Sequence, residues 1–246
     1  MDANKVMNSK EMAEIAIAAN RISRDIRVAI DKFAPEKLTA RQRLARGLLT
    51  SSIEQSIALT DLLAKDDPYI AYPALTLFRP QLEALARGVF FSTSDISTDE
   101  EVKQFIYTDK MPKRPPPDGG TQRRQYLSEL LDSTRGVLKL FLPPDLVTRV
   151  DEIYTYNLDL YNAFVHGGYT VQLGYENIQS NYIFSPHFYR LMNIARHSLA
   201  QAHFAEGVLS AIVYRLDHLT NVAPNRVGLV EEYATLVKGA ARTYRD

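Results

Sequence analysis

Apolar side chains recur every three or four residues through most of this chain, and that spacing restricts its fold more than any other feature. Residues 9–33 show it clearly, with an apolar stripe formed by Met12, Ile15, Ala19, Ile22, Ile26 and Ile30. An α-helix has about 3.6 residues per turn, so such a stripe lies on one face and is buried against other elements. The sequence therefore predicts an all-α fold, a bundle of about eight helices.

The same spacing predicts where the other helices lie. They are expected at residues 39–65, 73–91, 98–108, 121–140, 144–165, 185–219 and 226–244. Thr39 and Thr98 suit the position before a helix, because a threonine hydroxyl accepts a hydrogen bond from a free backbone N–H. The stripes expected to be buried are Leu44, Leu48, Ile53, Ile57 and Leu62 in the second helix, and Phe78, Leu82, Leu85 and Val89 in the third.

Two stretches lack the helical period. Residues 110–120 are rich in proline and glycine and predict an exposed loop, because proline lacks a backbone donor and glycine favours turns. Residues 167–184 are rich in tyrosine, valine and isoleucine and predict a short hairpin or an ordered loop. No interior segment resembles a flexible tether, so we expect one helical domain over residues 1–246. In it, an N-terminal helical hairpin over residues 1–66 packs on a bundle over residues 68–246.

Composition and motifs exclude several classes of function. Basic and acidic residues each number 29, so no overall basic field favours nucleic acid. Cysteine is absent, which excludes disulfides, thiolate metal sites and a cysteine nucleophile. The chain has no nucleotide-binding, zinc-protease or serine-hydrolase motif, and His197 and His203 lie about 120° apart around a helix. We therefore expect neither a metal nor another cofactor.

The third predicted helix carries a row of alternating charge. Arg79, Glu83 and Arg87 follow each other at intervals of four residues beside the apolar stripe. Two guanidinium groups that share one carboxylate keep spare donors, which can receive a phosphate or a second carboxylate. The alternative is a structural ion ladder worth a few tenths of a kcal/mol per pair. Pro80 lies inside the predicted helix, so we expect a kink that turns Arg79 toward a cleft.

A second polar row lies on the helix predicted at residues 144–165. Asp159, Asn162 and His166 follow each other at three- and four-residue spacing, and Gly167 and Gly168 come directly after the histidine. Asp159 or Asn162 would orient His166, whose near-neutral pKa suits a general acid or base. The alternative is a solvated helix face that ends at a glycine cap, with His166 favoured by the helix dipole.

Basic residues cluster around the proline-rich loop. Lys113, Arg114, Arg123 and Arg124 outnumber the neighbouring acids and would follow a phosphate backbone. The alternative is a solvated loop, because no aromatic residues for base stacking alternate with these charges.

The Arg-Pro-x-x-Glu-x-x-x-Arg-Gly segment from Arg79 to Gly88 and the later His-Gly-Gly segment at His166 resemble those of uncharacterised bacterial proteins distantly similar to the HEPN superfamily. The resemblance covers about residues 70–220. It implies a helical bundle, often dimeric, and a metal-independent ribonuclease of a toxin or antiviral defence system. The family places an arginine a few positions before its histidine, where this chain has Leu160, Tyr161 and Asn162. Arg79 or Arg87 would then replace that arginine from another helix.

The resemblance leads to two hypotheses of function. In the first, the protein is an RNA-cleaving effector or a descendant that binds or senses RNA, and His166 transfers a proton while Arg79 or Arg87 stabilises the developing charge. In the second, it is a non-catalytic helical interaction or sensing module with a partner protein. We expect a homodimer in both cases. No apolar run approaches the roughly 20 residues that span a bilayer, so we expect a cytoplasmic protein without a membrane partner.

Overall fold

The computed structural model describes residues 9–65, 67, 73–116, 119–141, 185–215 and 226–242. These residues form the helices α1 (Ser9–Lys32), α2 (Ala40–Leu63), α3 (Phe78–Ser92), α4 (Asp99–Thr108), α5 (Leu127–Phe141), α6 (Ser185–Val208) and α7 (Arg226–Arg242). Two short antiparallel strands, β1 (Lys113–Arg114) and β2 (Arg123–Arg124), lie between α4 and α5. The predicted all-α fold is confirmed. The elements predicted at residues 144–165 and 167–184 lie outside the described residues.

Two helix starts follow the sequence prediction closely. Thr39 and Thr98 each accept a hydrogen bond from the backbone of the third helical residue, and the side-chain oxygens of Gln42 and Glu101 accept one from the threonine N–H. These reciprocal bonds satisfy donors that the first helical turn leaves free.

Among the described helices, none is both long enough and apolar enough to cross a membrane.

The core forms where α1, α2, α3 and α6 pack together. The predicted stripes of α1 and α3 are buried, as expected. The prediction for α2 is wrong in part, because Leu44, Leu48, Ile57 and Leu62 are only partly buried. The buried face of α2 consists of Ala45, Leu49, Ser52, Ile53, Ser56, Leu59, Thr60 and Leu63. This helix contacts α1, α3 and α6 together, so its small polar residues are buried as well. A prediction from the spacing of apolar residues leaves such residues out.

A chain of buried polar side chains crosses this four-helix contact. Ser198 Oγ of α6 lies 2.7 Å from Gln81 Oε1 of α3 and 3.0 Å from Ser56 Oγ of α2. Gln81 Nε2 donates to the carbonyl of Ser198, and Ser56 Oγ lies 3.1 Å from Ser23 Oγ of α1. Buried polar groups are costly without partners, so this series of hydrogen bonds favours one register of the four helices.

Several predicted boundaries are wrong. Residues 73–77 form a separate turn and α3 begins at Phe78, so Pro80 lies in the first helical turn, where no internal hydrogen bond is lost and no kink is required. The helix predicted from residue 121 begins at Leu127, because the Glu129 carboxylate accepts the N–H of Tyr126. The loop predicted to be exposed buries Met111.

The helix predicted over residues 185–219 also ends early. After Val208 it widens into a π-helical turn, Leu209–Val213, in which Tyr214 N donates to Leu209 O at 2.8 Å. Arg215 then adopts a left-handed backbone conformation with φ of 56°, which ends the helical path.

Candidate functional site

The row on α3 forms as a continuous ion ladder. Arg79 Nε donates to Glu83 Oε1 at 3.0 Å, and Arg87 Nη2 donates to Glu83 Oε2 at 3.1 Å. The three side chains are between 26% and 36% exposed, so they are partly shielded from water and still open to a ligand. The opposite face of α3 is buried, with Phe78, Leu82, Leu85 and Val89 inside the core. A rigid helix therefore presents the row.

The row holds two guanidinium groups close together. Both share the carboxylate of Glu83, and the three residues span just over two helical turns. Arg87 Nε is buried and has no hydrogen-bond partner among the residues that the structure describes. Such a donor is costly in the protein alone, and charge-assisted bonds to phosphate or carboxylate oxygens are the strong ones. The row has the chemistry of an oxyanion site.

Asp159, Asn162 and His166, the other half of the predicted catalytic site, lie outside the described residues. Their convergence with Arg79 and Arg87 stays a prediction.

The four basic residues that form β1 and β2 divide into two pairs. Arg114 donates to both carboxylate oxygens of Glu101, at 2.7 and 2.6 Å, and its guanidinium lies 4.7 Å from the Phe90 ring centre. Arg123 donates to both oxygens of Glu129, at 3.0 and 2.8 Å. Hydrogen bonds from these arginines lower the pKa of each carboxylate, by more than burial raises it. Arg114 and Arg123 therefore fasten the strands to α4 and α5.

The other pair, Lys113 and Arg124, lies directly opposite on β1 and β2, and both side chains are exposed. The structure thus leaves two of the four predicted nucleic-acid contacts on an open surface. The sequence did not separate the pairs, because the carboxylates that hold Arg114 and Arg123 lie 13 and 6 residues away along the chain.

Two histidines of α6, His197 and His203, lie in different surroundings. Burial, followed by the positive charge of Arg196, lowers the pKa of His197 to about 4, so its ring is neutral near pH 7. His203 lies 3.7 Å from Glu206 in a separate ion cluster. Within the described part of the chain, no three His, Asp or Glu side chains form a group that would hold a metal ion.

Arg41 is a structural residue that the sequence analysis missed. Its guanidinium donates to Thr93 O at 3.1 Å, to Ser97 Oγ and Ser97 O at 2.7 Å, and to Asp99 at 2.7 Å. These bonds attach the start of α2 to the loop between α3 and α4. In the sequence, Arg41 resembles any polar residue in the first turn of a helix, so no local signal identified it.

We expect Glu83→Ala to lower the free energy of unfolding by more than about 1 kcal/mol, because Arg79 and Arg87 lose a shared, partly buried partner. Denaturant unfolding at neutral pH measures this change. Glu232→Ala is the matched control, since its ion pair with Arg21 is about half exposed and should contribute less. Equal losses in the two variants would show that the ladder on α3 is simply solvated.

Comparison with known proteins bears on residues 49–181, which match a family of unknown function, DUF6988. No curated protein and no solved structure matches the chain. The matched range includes the whole of α3 and the positions of Asp159, Asn162 and His166. Because the match covers more than half of the chain, this protein belongs to the DUF6988 family of unknown function.

Proposed function

We propose that this protein is a HEPN-like, RNA-directed protein in which the Arg79–Glu83–Arg87 row receives a phosphate of the RNA backbone. The observation that carries this proposal is the pair of guanidinium groups that one carboxylate holds along a partly buried face of a rigid helix. Glu83 holds the two arginines along one face, so a phosphate meets donors that are already oriented. The hypothesis needs no metal, which agrees with the HEPN resemblance.

Cleavage would follow from this arrangement if His166 lies beside the row. His166 would take the proton of a ribose 2′-hydroxyl while its oxygen attacks the adjacent phosphorus. The bond to the leaving 5′-oxygen breaks, and that oxygen takes up a proton, so the products are a 2′,3′-cyclic phosphate and a 5′-hydroxyl end. Arg79 or Arg87 would stabilise the negative charge that develops on the phosphorane oxygens. Glu83 is a positioning residue in this scheme.

One observation favours a second candidate, a non-catalytic binding or sensing module. Arg114 and Arg123 are each held by a carboxylate, so the two short strands offer Lys113 and Arg124 as exposed cations. A surface with few free cations suits modest binding of RNA or of an acidic partner protein. In this case the Arg79–Glu83–Arg87 row contributes to the fold and to recognition, without proton transfer.

The test is cleavage of a labelled single-stranded RNA in the presence of a metal chelator. We expect cleavage to persist, to fall about a hundredfold or more in His166→Ala, and to fall strongly in Arg79→Ala. Arg43→Ala is the control for a lost arginine, because Arg43 is exposed on α2 and donates only to the nearby carbonyl of Leu38. Circular dichroism checks that each variant is folded.

The outcomes separate the candidates. Cleavage that survives in folded His166→Ala protein rules out the mechanism. RNA binding without cleavage supports the binding module if the affinity falls steeply with salt concentration. Combining Lys113→Gln with Arg124→Gln should then flatten this salt dependence. No RNA binding at low salt would remove RNA from the proposal and leave interaction with a protein.

A further inference from the structure

A cleft of about 920 Å³ lies at the other end of α3, away from the row at Arg79. Its walls are the start of α2, the loop that follows α3, the first turn of α4 and the π-helical turn after α6. Ala40, Ala211 and Ile212 contribute apolar surface. Clefts that bind small molecules have volumes of roughly 300–1,000 Å³ and combine an apolar lining with a few placed polar groups. This cleft has both properties.

The walls are held in place before any ligand arrives. The hydrogen bonds of Arg41 to Thr93, Ser97 and Asp99 fix the loop after α3. Next to it, Gln42 Nε2 donates to the carbonyl of Val213 at 2.7 Å and fixes the end of the π-helical turn. A preformed site loses less conformational entropy when it binds a ligand.

The charges that line the cleft cancel, with Arg41, Lys103 and Arg215 against Asp95, Asp99 and Glu100. Arg41 is paired with Asp99 at 2.7 Å, and Lys103 with Glu100 at 2.9 Å. Among the described residues, neither Asp95 nor Arg215 has an ion-pair partner. One charge of each sign is therefore open to a ligand.

Arg215 occupies an unusual position for such a side chain. It follows the π-helical turn and has a left-handed backbone, a conformation that is uncommon and costly for residues other than glycine. Turns of the π type recur at functional sites in helical proteins. The backbone thus brings an exposed guanidinium to the edge of the cleft.

We infer that this cleft binds a short apolar peptide with free ends. Asp95 contacts the terminal ammonium, Arg215 contacts the terminal carboxylate, and Ala40 and Ile212 contact the apolar side chains. A simple anion does not suit the cleft, because three carboxylates line it. The inference rests on residues separate from the Arg79–Glu83–Arg87 row, so it does not depend on RNA binding or cleavage.

Isothermal titration calorimetry with leucyl-leucine tests this inference, alongside its N-acetylated and C-amidated forms. We expect the unmodified dipeptide to bind, and each modification to weaken binding about tenfold or more, because a charge-assisted contact is lost. Arg215→Gln should weaken binding of the dipeptide by a similar factor and remove the preference over the amide. Asp95→Asn should remove the preference over the N-acetyl form.

Lys65→Gln is the control for a lost exposed cation, since Lys65 lies just after the end of α2 and does not line the cleft. Its affinity for the dipeptide should equal that of the wild type, and thermal melts check that all variants are folded. The inference is overturned if none of the three peptides binds at concentrations up to about 10 mM. It is also overturned if the three bind equally, or if Arg215→Gln weakens the dipeptide and the amide alike.

Discussion

Replacing Glu206 by alanine should lower the free energy of unfolding by up to about 3–5 kcal/mol, the cost of removing the bidentate partner of the buried Arg226 charge. Arg226 Nη1 lies 2.6 and 2.5 Å from the two carboxylate oxygens of Glu206, and Arg226 Nε donates to Asp25 at 2.8 Å. The side chains of Glu206 and Arg226 are only 8% and 15% exposed. This cluster joins the start of α7 to α6 and α1, so its loss should also loosen α7.

The effect of Glu206 should depend on pH in a defined direction. Burial by itself would raise the pKa of Glu206, but the hydrogen bonds from Arg226 and the nearby imidazole of His203 outweigh burial and hold the pKa below its ordinary value of 4.5. A carboxylate with a lowered pKa in the folded state stabilises the protein above its unfolded pKa. That stabilisation is lost as the pH falls through the folded pKa. The difference between wild type and Glu206→Ala should therefore be largest near pH 7 and shrink below about pH 4.5.

Urea unfolding at pH 7 and at pH 4 measures both effects. Glu232→Ala is the matched control, because its ion pair with Arg21 also joins α7 to α1 but is about half exposed. That variant should lose about 1 kcal/mol or less. A loss in Glu206→Ala no larger than in Glu232→Ala would show that the cluster with Arg226 does not stabilise the fold.

The features predicted correctly from the sequence depend on neighbouring residues. The apolar stripe of α1 follows from a single helical period, and the caps at Thr39 and Thr98 need partners only three residues away. The same holds for the ladder at Glu83, whose partners lie four residues away on one helix. Local geometry alone fixes these contacts.

The features that the sequence did not predict depend on contacts between distant segments. The buried Ser56 of α2 has its partners on α1 and α6, at residues 23 and 198. Arg41 and Arg114 resemble free surface cations until the fold places Ser97 and Glu101 beside them. Asp95 and Arg215 meet at one cleft only because the π-helical turn returns the chain to α2. Neither the helical period nor a local motif predicts such contacts between distant residues.

Gly88→Ala should lower the free energy of unfolding by about 1–3 kcal/mol, although alanine is the better helix former. A Cβ atom at residue 88 would lie 2.6 Å from Leu49 Cγ and 3.2 Å from the backbone nitrogen of Leu49. Leu49 is fully buried in the core, so its side chain cannot move aside without disturbing its neighbours. The glycine of the Arg87-Gly88 pair thus permits the close approach of α2 and α3.

Gly47→Ala supplies the matched control, since Gly47 is exposed on α2 and a Cβ atom there meets nothing within 4 Å. It should stabilise the protein by about 0.4–1 kcal/mol, through helix propensity and a less flexible unfolded chain. Thermal and urea unfolding of the two variants would then change in opposite directions. If both alanines stabilise the protein, α2 and α3 do not approach as closely as Leu49 and Gly88 require. The glycine would then have to be explained by something other than packing. Opposite signs of the two changes in unfolding free energy would instead show that Gly88 permits the contact between α2 and α3. Arg87, one residue earlier, belongs to the ladder with Glu83.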